Sequence, residues 1–341
     1  MKFSEIERPF ISIIVVTWNA RSLLKKCLIS LYNQTYKRYE VIVVDNASED
    51  KTAQMIKEEF PNVKLIILKE NKGFTGGNIE GLKHAKGEFI ALLNNDAEAS
   101  PQWLETLIKP MLEDPQVGIC TSKVVIKNTN ILDSVGGGLT TAFSGFKIGM
   151  GERADIYNKK RYVPGGYACA CLYRKKMLDE IGFFDEDFVF NHEDTDLDFR
   201  ALLAGWRCVY VPDAIVEHKV SATLGHMSAK SVYYFSRNSE FVWIKNAPTK
   251  LMLKYLHHRI LYEIASFGYF GIMHRQWKAF LKGKWDAIKF LPKMMKKRKK
   301  VLLRKEISAK KIMGSLTPVG SYLLTRLSNM KRSRYFEVFL L

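Results

Sequence analysis

No run of about 18–20 uninterrupted apolar residues occurs in this 341-residue chain, so no segment reads as a bilayer-crossing helix. The nearest candidate, residues 261–273, is short and carries Glu263. The opening MKFSEIERPF has no apolar segment of the secretory kind, and the expectation is a cytoplasmic protein. Cysteine is scarce. The five residues (Cys27, Cys120, Cys169, Cys171, Cys208) form no CxxC pair and no framework spacing, which predicts reduced, buried packing residues. Cys169 and Cys171, two apart in what reads as a strand, are expected on one face. Internal repeats and low-complexity tracts are missing too. Two phosphate-binding signatures are also absent. The first strand-to-helix turn reads TWNA and not GxGxxG, which argues against a dinucleotide-binding oxidoreductase, and no GxxxxGK[ST] loop exists.

Acid is what the last third of the chain lacks. Residues 245–341 hold 23 Lys+Arg against 4 Asp+Glu, a net of +19, whereas the preceding 244 residues balance at −1. The chain therefore divides into a near-neutral domain over 1–245 and a basic, helical region over 246–341, and the two are expected to meet different partners.

What is present begins with ISIIVV at 11–16, a continuous β-branched run of the kind buried on both faces of a parallel sheet. A helical stripe follows (Leu23, Leu24, Cys27, Leu28, Leu31). Strands are then predicted at 40–44, 64–68 and 89–93, with helices near 50–60 and 76–86 between them. This β-α-β-α-β-α-β alternation is that of an α/β, doubly wound, mostly parallel sheet. Beyond a helix at 101–113, strands near 117–126 and 168–173 flank about 40 residues rich in glycine, which reads as a mobile excursion over a site. Helices are predicted at 175–181 and 194–204, then a strand over 208–211, then helix from 230 onward.

In an open parallel sheet, ligands sit beyond the carboxyl ends of the strands. Here those ends carry Thr17-Trp18-Asn19, Asp45-Asn46, the loop from Asn71 to Asn78, and Asn94-Asn95-Asp96. Any one polar strand end is ordinary loop solvation, but four converging on one crevice suit a nucleotide. Asp45 can accept hydrogen bonds from a base or ribose, and Gly73, Gly76 and Gly77 allow close backbone approach. With neither glycine motif present, a metal is the natural counter-charge for a diphosphate. Asp96 is the best-placed ligand, and Mg²⁺ or Mn²⁺ the expected ion. His218, just past the last strand, can serve as a neutral ligand. The second cluster is EDTDLDFR at 193–200. Acids at a helix N-terminus can be simple dipole compensation. A carboxylate there can equally deprotonate an attacking hydroxyl. Composition alone does not separate Asp194 from Glu193, Asp196 or Asp198.

Taken in order, IIVVTWNA (13–20), VVDNASED (43–50), NKGFTGGNIEG (71–81), LLNNDA (92–97), GFFDEDF (182–188), EDTDLDFR (193–200), GW (205–206) and the stretch 212–218 resemble family 2 glycosyltransferases of the GT-A fold, in the rhamnosyltransferase-like and galactofuranosyltransferase-like branch. The resemblance spans roughly 10–245. It implies that Thr17, Asn19, Asp45, Asn46 and Asn95 hold the nucleotide-sugar, and that Asn71, Gly73, Phe74, Gly77 and Asn78 close over the donor. It further implies that Asp96 and His218 hold the metal, with Asn94 at the first position of the metal motif, and that Gly165, Gly166 and Tyr167 line the donor and acceptor pocket. Asp194 becomes the catalytic base, with Glu193 beside it. The implied reaction is inverting transfer from a nucleotide-sugar, dTDP-rhamnose among the candidates, to a glycan or lipid-linked acceptor in polysaccharide or glycolipid biosynthesis. A nucleotidyltransferase shares the sheet and metal logic but leaves 193–200 unexplained. A non-catalytic membrane-binding scaffold leaves Asp96, Asp194 and His218 unexplained.

The basic region interleaves Trp277, Phe280, Trp285, Ile288, Phe290 and Leu291 with lysines and contains KMMKKRKK at 293–300. Such helices suit an anionic membrane surface. With no nucleic-acid-binding motif and a neutral first domain, nucleic acid is not the expected partner. The expectation is a peripheral protein on the cytosolic face of the plasma membrane, docked through 249–341.

Overall fold

A computed structural model describes residues 8–220 and 227–332; the start of the opening decapeptide (1–7) and the end of the basic region (333–341) lie outside the described residues. β1 (Ile11–Thr17), α1 (Arg21–Tyr32), β2 (Tyr39–Asp45), α2 (Thr52–Glu59), β3 (Lys64–Ile67), α3 (Gly73–Lys83) and β4 (Phe89–Leu93) follow the predicted alternation. The first two strands are parallel and in register from Ile11↔Tyr39 to Thr17↔Asp45. Next come β5 (Ala97–Ala99), α4 (Trp103–Glu113), β6 (Val117–Ile126), β7 (Leu132–Ser134), β8 (Gly137–Thr140), β9 (Gly145–Lys147), β10 (Arg161–Val163), β11 (Ala170–Arg174), α5 (Lys175–Ile181), α6 (Glu193–Leu203) and β12 (Arg207–His218). The large sheet runs β10-β12-β6-β11-β4-β1-β2-β3, with β5 on β12 and β7 on β6. Strands β3, β2, β1 and β4 are parallel, and β11 enters antiparallel between β4 and β6.

The continuous apolar strands are explained by cover on both faces. Ile13, Val15, Val43 and Leu93 pack with Leu24, Leu28 and Trp103 of α1 and α4. Their neighbours Ile14, Ile42, Val44 and Leu92 face the opposite way, toward Met177, Leu197 and Ala201 of α5 and α6.

Four details depart from the sequence reading. First, α3 begins at Gly73, three residues ahead of the helix expected near 76–86, so the loop glycine joins the helix that holds Gly76, Gly77 and Gly81. A Cβ on Gly77 would lie 2.5 Å from Val16 Cγ1, and one on Gly81 2.5 Å from Ile14 Cγ2, so these glycines let the helix press onto the sheet. Second, β12 does not stop at Val211. It passes Pro212 through a register shift between Val211 and Ile215, a bulge being where a strand tolerates proline. Third, the glycine-rich stretch is packed structure, since Val135, Leu139, Phe143 and Ser144 have no exposed surface. Fourth, Cys169 and Cys171 do not share a face. Regular strand begins at Ala170, so the alternation does not reach Cys169, and the two thiols join opposite layers. All five cysteines are free and buried.

The remaining described chain is helical: α7 (Ala229–Asn246), α8 (Thr249–Lys254), α9 (Leu256–Ser266), a π-helical turn at Phe267–Met273, α10 (Trp277–Lys289), α11 (Leu291–Leu303), α12 (Ala309–Gly314), the two-residue β13 (Leu316–Thr317) and α13 (Val319–Arg332). These helices build a third apolar cluster jointly with the sheet domain. Leu139, Phe143, Phe199 and Leu203 meet Phe241, Trp243, Ala287, Met294, Ile312 and Leu316 there. Strand β13 pairs parallel with β8, Leu316 opposite Leu139. No described helix is long and apolar enough to cross a membrane.

Candidate active site

The first wall of the site is made by loops that tie one another down. Asn19, at φ 47°, accepts a hydrogen bond from the Glu49 amide at 2.8 Å and donates its own amide to Ser48 Oγ at 2.9 Å. It therefore joins the loops after β1 and β2 and does not itself line the cavity. Asp45 accepts from the Ser48 amide at 3.0 Å through Oδ1, while its buried Oδ2 has no partner among the described residues. An unsatisfied buried carboxylate oxygen is costly unless a ligand completes it. Asn46 donates to the Gly73 carbonyl at 3.1 Å and accepts from the Lys72 amide at 3.2 Å, holding the start of α3 against the strand ends. The Gly73 amide donates to Asn71 Oδ1 at 2.8 Å, and Gly73 adopts φ +72°, where a Cβ would strike Val189. Asn78 donates to the Phe74 carbonyl one turn back, so its role is within the helix.

The second wall is a polar chain. Asn95 Nδ2 donates to Thr17 Oγ1 at 3.0 Å, and Asn94 Oδ1 is buried without a partner among the described residues. His218, at the last position of β12, lies 3.2 Å from Asp96 Oδ1 through Nε2 and 2.8 Å from Asp133 Oδ2 through Nδ1. Lys147 Nζ donates to the other Asp133 oxygen at 2.6 Å. Burial would raise the Asp133 carboxyl, but Lys147 and His218 hold it well below the usual range. Burial would likewise lower His218, yet Cys169 and the hydrogen bonds to its two aspartates keep it well above an ordinary histidine. Among the described residues no three metal-binding side chains converge as a ready-made cage. The donor set still fits a hard cation shared with a phosphate: one carboxylate, one imidazole oriented by a second carboxylate, and an orphaned amide oxygen.

The third wall is the start of α6, and here the four acids separate. Asp196 turns away into the protein, ion-paired with Arg200 at 2.8 Å and Lys245 at 2.9 Å. Asp198 accepts from the Gly166 amide at 2.9 Å, and Gly165 leaves it room, since a Cβ there would come within 2.0 Å of its Oδ2. Asp194 and Glu193 line the cavity. Asp194 Oδ1 accepts from the Thr195 amide at 2.7 Å, and burial raises its carboxyl above the ordinary value. Burial, then the neighbouring Asp194, raises Glu193 further, and its Oε2 has no partner among the described residues. The turn presenting these acids is fixed from outside the sheet domain's own strands: Asn238 of α7 donates to the carbonyls of Phe188, Phe190 and Asn191 at 2.7–2.8 Å.

These walls enclose a cavity of about 510 Å³. Of the residues expected from sequence, Thr17, Asn46, Asn71, Phe74, Asn95, Asp96, Gly166, Tyr167, Glu193, Asp194 and His218 line it. Asn19, Asp45, Gly73, Gly77, Asn78 and Gly165 stand behind that lining and shape it. The sequence reading missed Lys147, His192, Tyr269, Phe270 and Arg326, which also line the cavity, and Asp133 behind them. His192 adjoins a recognised motif and was in reach. The others lie on short strands or in the basic region and carry no local signal.

A sequence profile described as Glycosyl transferase family 2 matches residues 12–182. The chain is 29% identical over 248 residues to the uncharacterized glycosyltransferase YwdF of Bacillus subtilis, covering 70% of this chain and 87% of that one. It is 26% identical over 273 residues to the N-acetylglucosaminyl-diphospho-decaprenol L-rhamnosyltransferase of Mycobacterium tuberculosis, covering 71% and 88%. Among solved structures, Staphylococcus aureus TarS 1-349 in complex with UDP superposes with a TM-score of 0.53 at 20% identity, over 86% of this chain and 88% of that one. GalNAc-T7 with UDP, GalNAc and Mn²⁺ gives 0.57 at 16%, over 76% and 58%. At such identities the structural likeness speaks for the fold, the GT-A arrangement.

Proposed function

The chain belongs to glycosyl transferase family 2, and on that premise we propose that it transfers a sugar from a nucleoside-diphosphate donor with inversion, Asp194 acting as the base. The observation that carries this reading is the sorting of EDTDLDFR. Asp196 is turned away and neutralised by Arg200 and Lys245, and Asp198, though it borders the cavity, is engaged by the Gly166 amide beneath Gly165, which leaves Glu193 and Asp194 as the acids presented beside Asp96. A carboxylate lifted by burial is a stronger base than a solvated one, and general base catalysis contributes about 10²–10⁴-fold. One base and a direct displacement require no second carboxylate as nucleophile, hence inversion.

Thr17, Asp45 and Asn46 hold the nucleoside, with the free Asp45 Oδ2 accepting from base or ribose. Asp96 and His218 would hold the divalent cation, Mg²⁺ or Mn²⁺, which when bound neutralises the diphosphate of the leaving nucleotide. Asn95 orients Thr17. Gly166 and Tyr167 form the wall against which the sugar lies. The named activity of the mycobacterial relative favours dTDP-rhamnose as donor and a lipid-linked acceptor.

An acceptor on a lipid implies docking to a membrane, and the basic region supports this. Trp277, Leu281, Trp285 and Ile288 on α10, and Leu256, Ile260 and Ile264 on α9, are large, apolar and 48–66% exposed. Each set recurs every three to four residues, one stripe of a helix. The exposed Lys278, Lys282 and Lys289 lie among them. The protein is then peripheral on the cytosolic face of an anionic membrane.

The test is a panel of nucleotide-sugars with Mg²⁺ or Mn²⁺, scored for donor binding and hydrolysis in wild type and Asp194→Asn. Wild type should bind at least one donor. The variant should bind it equally and lose turnover. Absence of any donor binding, or a variant that turns over normally, would refute the mechanism.

A further inference from the structure

Among the described residues, four carboxylates line the cavity (Asp96, Glu193, Asp194, Asp198) against one lysine and one arginine, Lys147 and Arg326. A nucleoside diphosphate adds further negative charge, and the first position of the metal motif is the amide Asn94. Attraction of the diphosphate therefore calls for a fixed protein cation in addition to a metal. Arg326 is held through Met150 Sδ at 3.2 Å, and no carboxylate among the described residues anchors it. Lys147 is different. It sits on β9 opposite the cavity-lining Gly137 of β8, its ammonium 4.4 Å from the Tyr167 ring centroid and 2.6 Å from Asp133.

Asp133 is the hub of this arrangement. Its side chain has no exposed surface, and its two oxygens divide between Lys147 and His218. One buried carboxylate thus fixes both the imidazole beside Asp96 and a separate ammonium. An ammonium has three donors, of which Asp133 takes one, and a side chain 29% exposed leaves the others open to the cavity. We propose that Lys147, positioned by Asp133, forms a metal-independent subsite for the donor's diphosphate. This rests on the donor reading above and adds to it that the diphosphate is held when the metal is removed. Asp133 is a positioning residue: it touches no substrate and acts through Lys147 and His218.

The experiment is calorimetric titration of full-length protein with UDP, dTDP, GDP and ADP, and with the matching nucleosides, in EDTA and again with Mn²⁺. Wild type should bind at least one diphosphate in EDTA. Lys147→Met should weaken that binding by about tenfold or more, the scale of a charge-assisted hydrogen bond, while nucleoside binding is unchanged. Lys147→Arg should restore most of it, which a merely structural role would not do. Asp133→Asn should weaken diphosphate binding in EDTA and also Mn²⁺ affinity by electron paramagnetic resonance, through loss of the orienting carboxylate on His218. Equal diphosphate affinity in wild type and Lys147→Met overturns the subsite and leaves the donor reading intact, as does wild-type binding that appears only with Mn²⁺. Wild type that binds no diphosphate in either condition overturns both.

Discussion

Asp194, Asp196 and Asp198 fall within five positions of one helix, whose turn of about 100° per residue keeps Asp194 and Asp198, one turn apart, on the cavity side and sends Asp196 into the protein. Asp194→Asn should lower turnover by about 10²–10⁴-fold while leaving nucleotide affinity unchanged, because it removes a proton acceptor and not a binding contact. Asp196→Asn should behave in the opposite way. It leaves Arg200 without a carboxylate partner among the described residues and Lys245 with Asp185 alone in a buried site, and breaking such a pair costs about 3–5 kcal/mol, measurable by urea denaturation. The two acids also diverge with pH. Asp194 is raised by burial, so the acid limb of the turnover profile should stand above the ordinary carboxylate range and fade in Asp194→Asn. Burial alone would raise Asp196 as well, but Arg200 and Lys245 hold it lowered. Its contribution to stability is therefore present above the unfolded carboxylate value and lost as pH falls through the folded one. At this scale the acids' positions were legible in the sequence, but their roles came from the motif and then from the geometry. Asp133 and Lys147 were illegible because each meets its partners only through long-range pairing, 85 residues apart in the case of Asp133 and His218.

At the scale of elements, the continuous β-branched runs announced the buried strands because a two-sided cover leaves no room for alternation. What misled was glycine. Gly73, read as loop, begins α3, and within the helix the missing side chains of Gly77 and Gly81 serve packing against the sheet. The distinction has measurable consequences. Gly81→Ala gains about 0.8–1 kcal/mol in helix propensity, but the new methyl would sit 2.5 Å from Ile14 Cγ2, a stiff branched side chain in the core. Overpacking costs about 1–3 kcal/mol, so the net effect should be destabilising, with α3 displaced from the sheet and donor affinity reduced through Asn46 and Gly73. A methyl added to Gly320 in α13 would meet no described atom within 4 Å. Gly320→Ala should therefore raise stability by about 0.4–1 kcal/mol. Opposite signs for the same chemical change, read by thermal denaturation, check the packing explanation directly.

At the scale of the whole molecule, the basic region is both a surface and a structural part. Its composition declared the charge, but not that Lys293 and Lys297 would pair with Asp187 and Asp185. A deletion after residue 248 would therefore remove Leu251, Met294, Ile312 and Leu316 from the cluster they share with Leu139 and Leu203. At about 1.5–3 kcal/mol for each such side chain, four of them rival the total stability of about 5–15 kcal/mol that folded proteins possess. Loss of membrane binding by such a truncation would report unfolding and not docking. The informative change is on the outer stripe alone. Trp277, Leu281, Trp285 and Ile288 are 48–61% exposed, so replacing all four with Gln should leave thermal stability within about 1 kcal/mol of wild type. If this stripe enters the interface, sedimentation with vesicles containing anionic lipid should fall by at least about tenfold, because each buried apolar side chain contributes on the order of 1 kcal/mol or more. Raising the salt concentration should weaken wild-type binding, through screening of the flanking lysines. Unchanged sedimentation of the fourfold variant, with folding intact, would show that α10 does not face the membrane and that the acceptor reaches the cavity by another route.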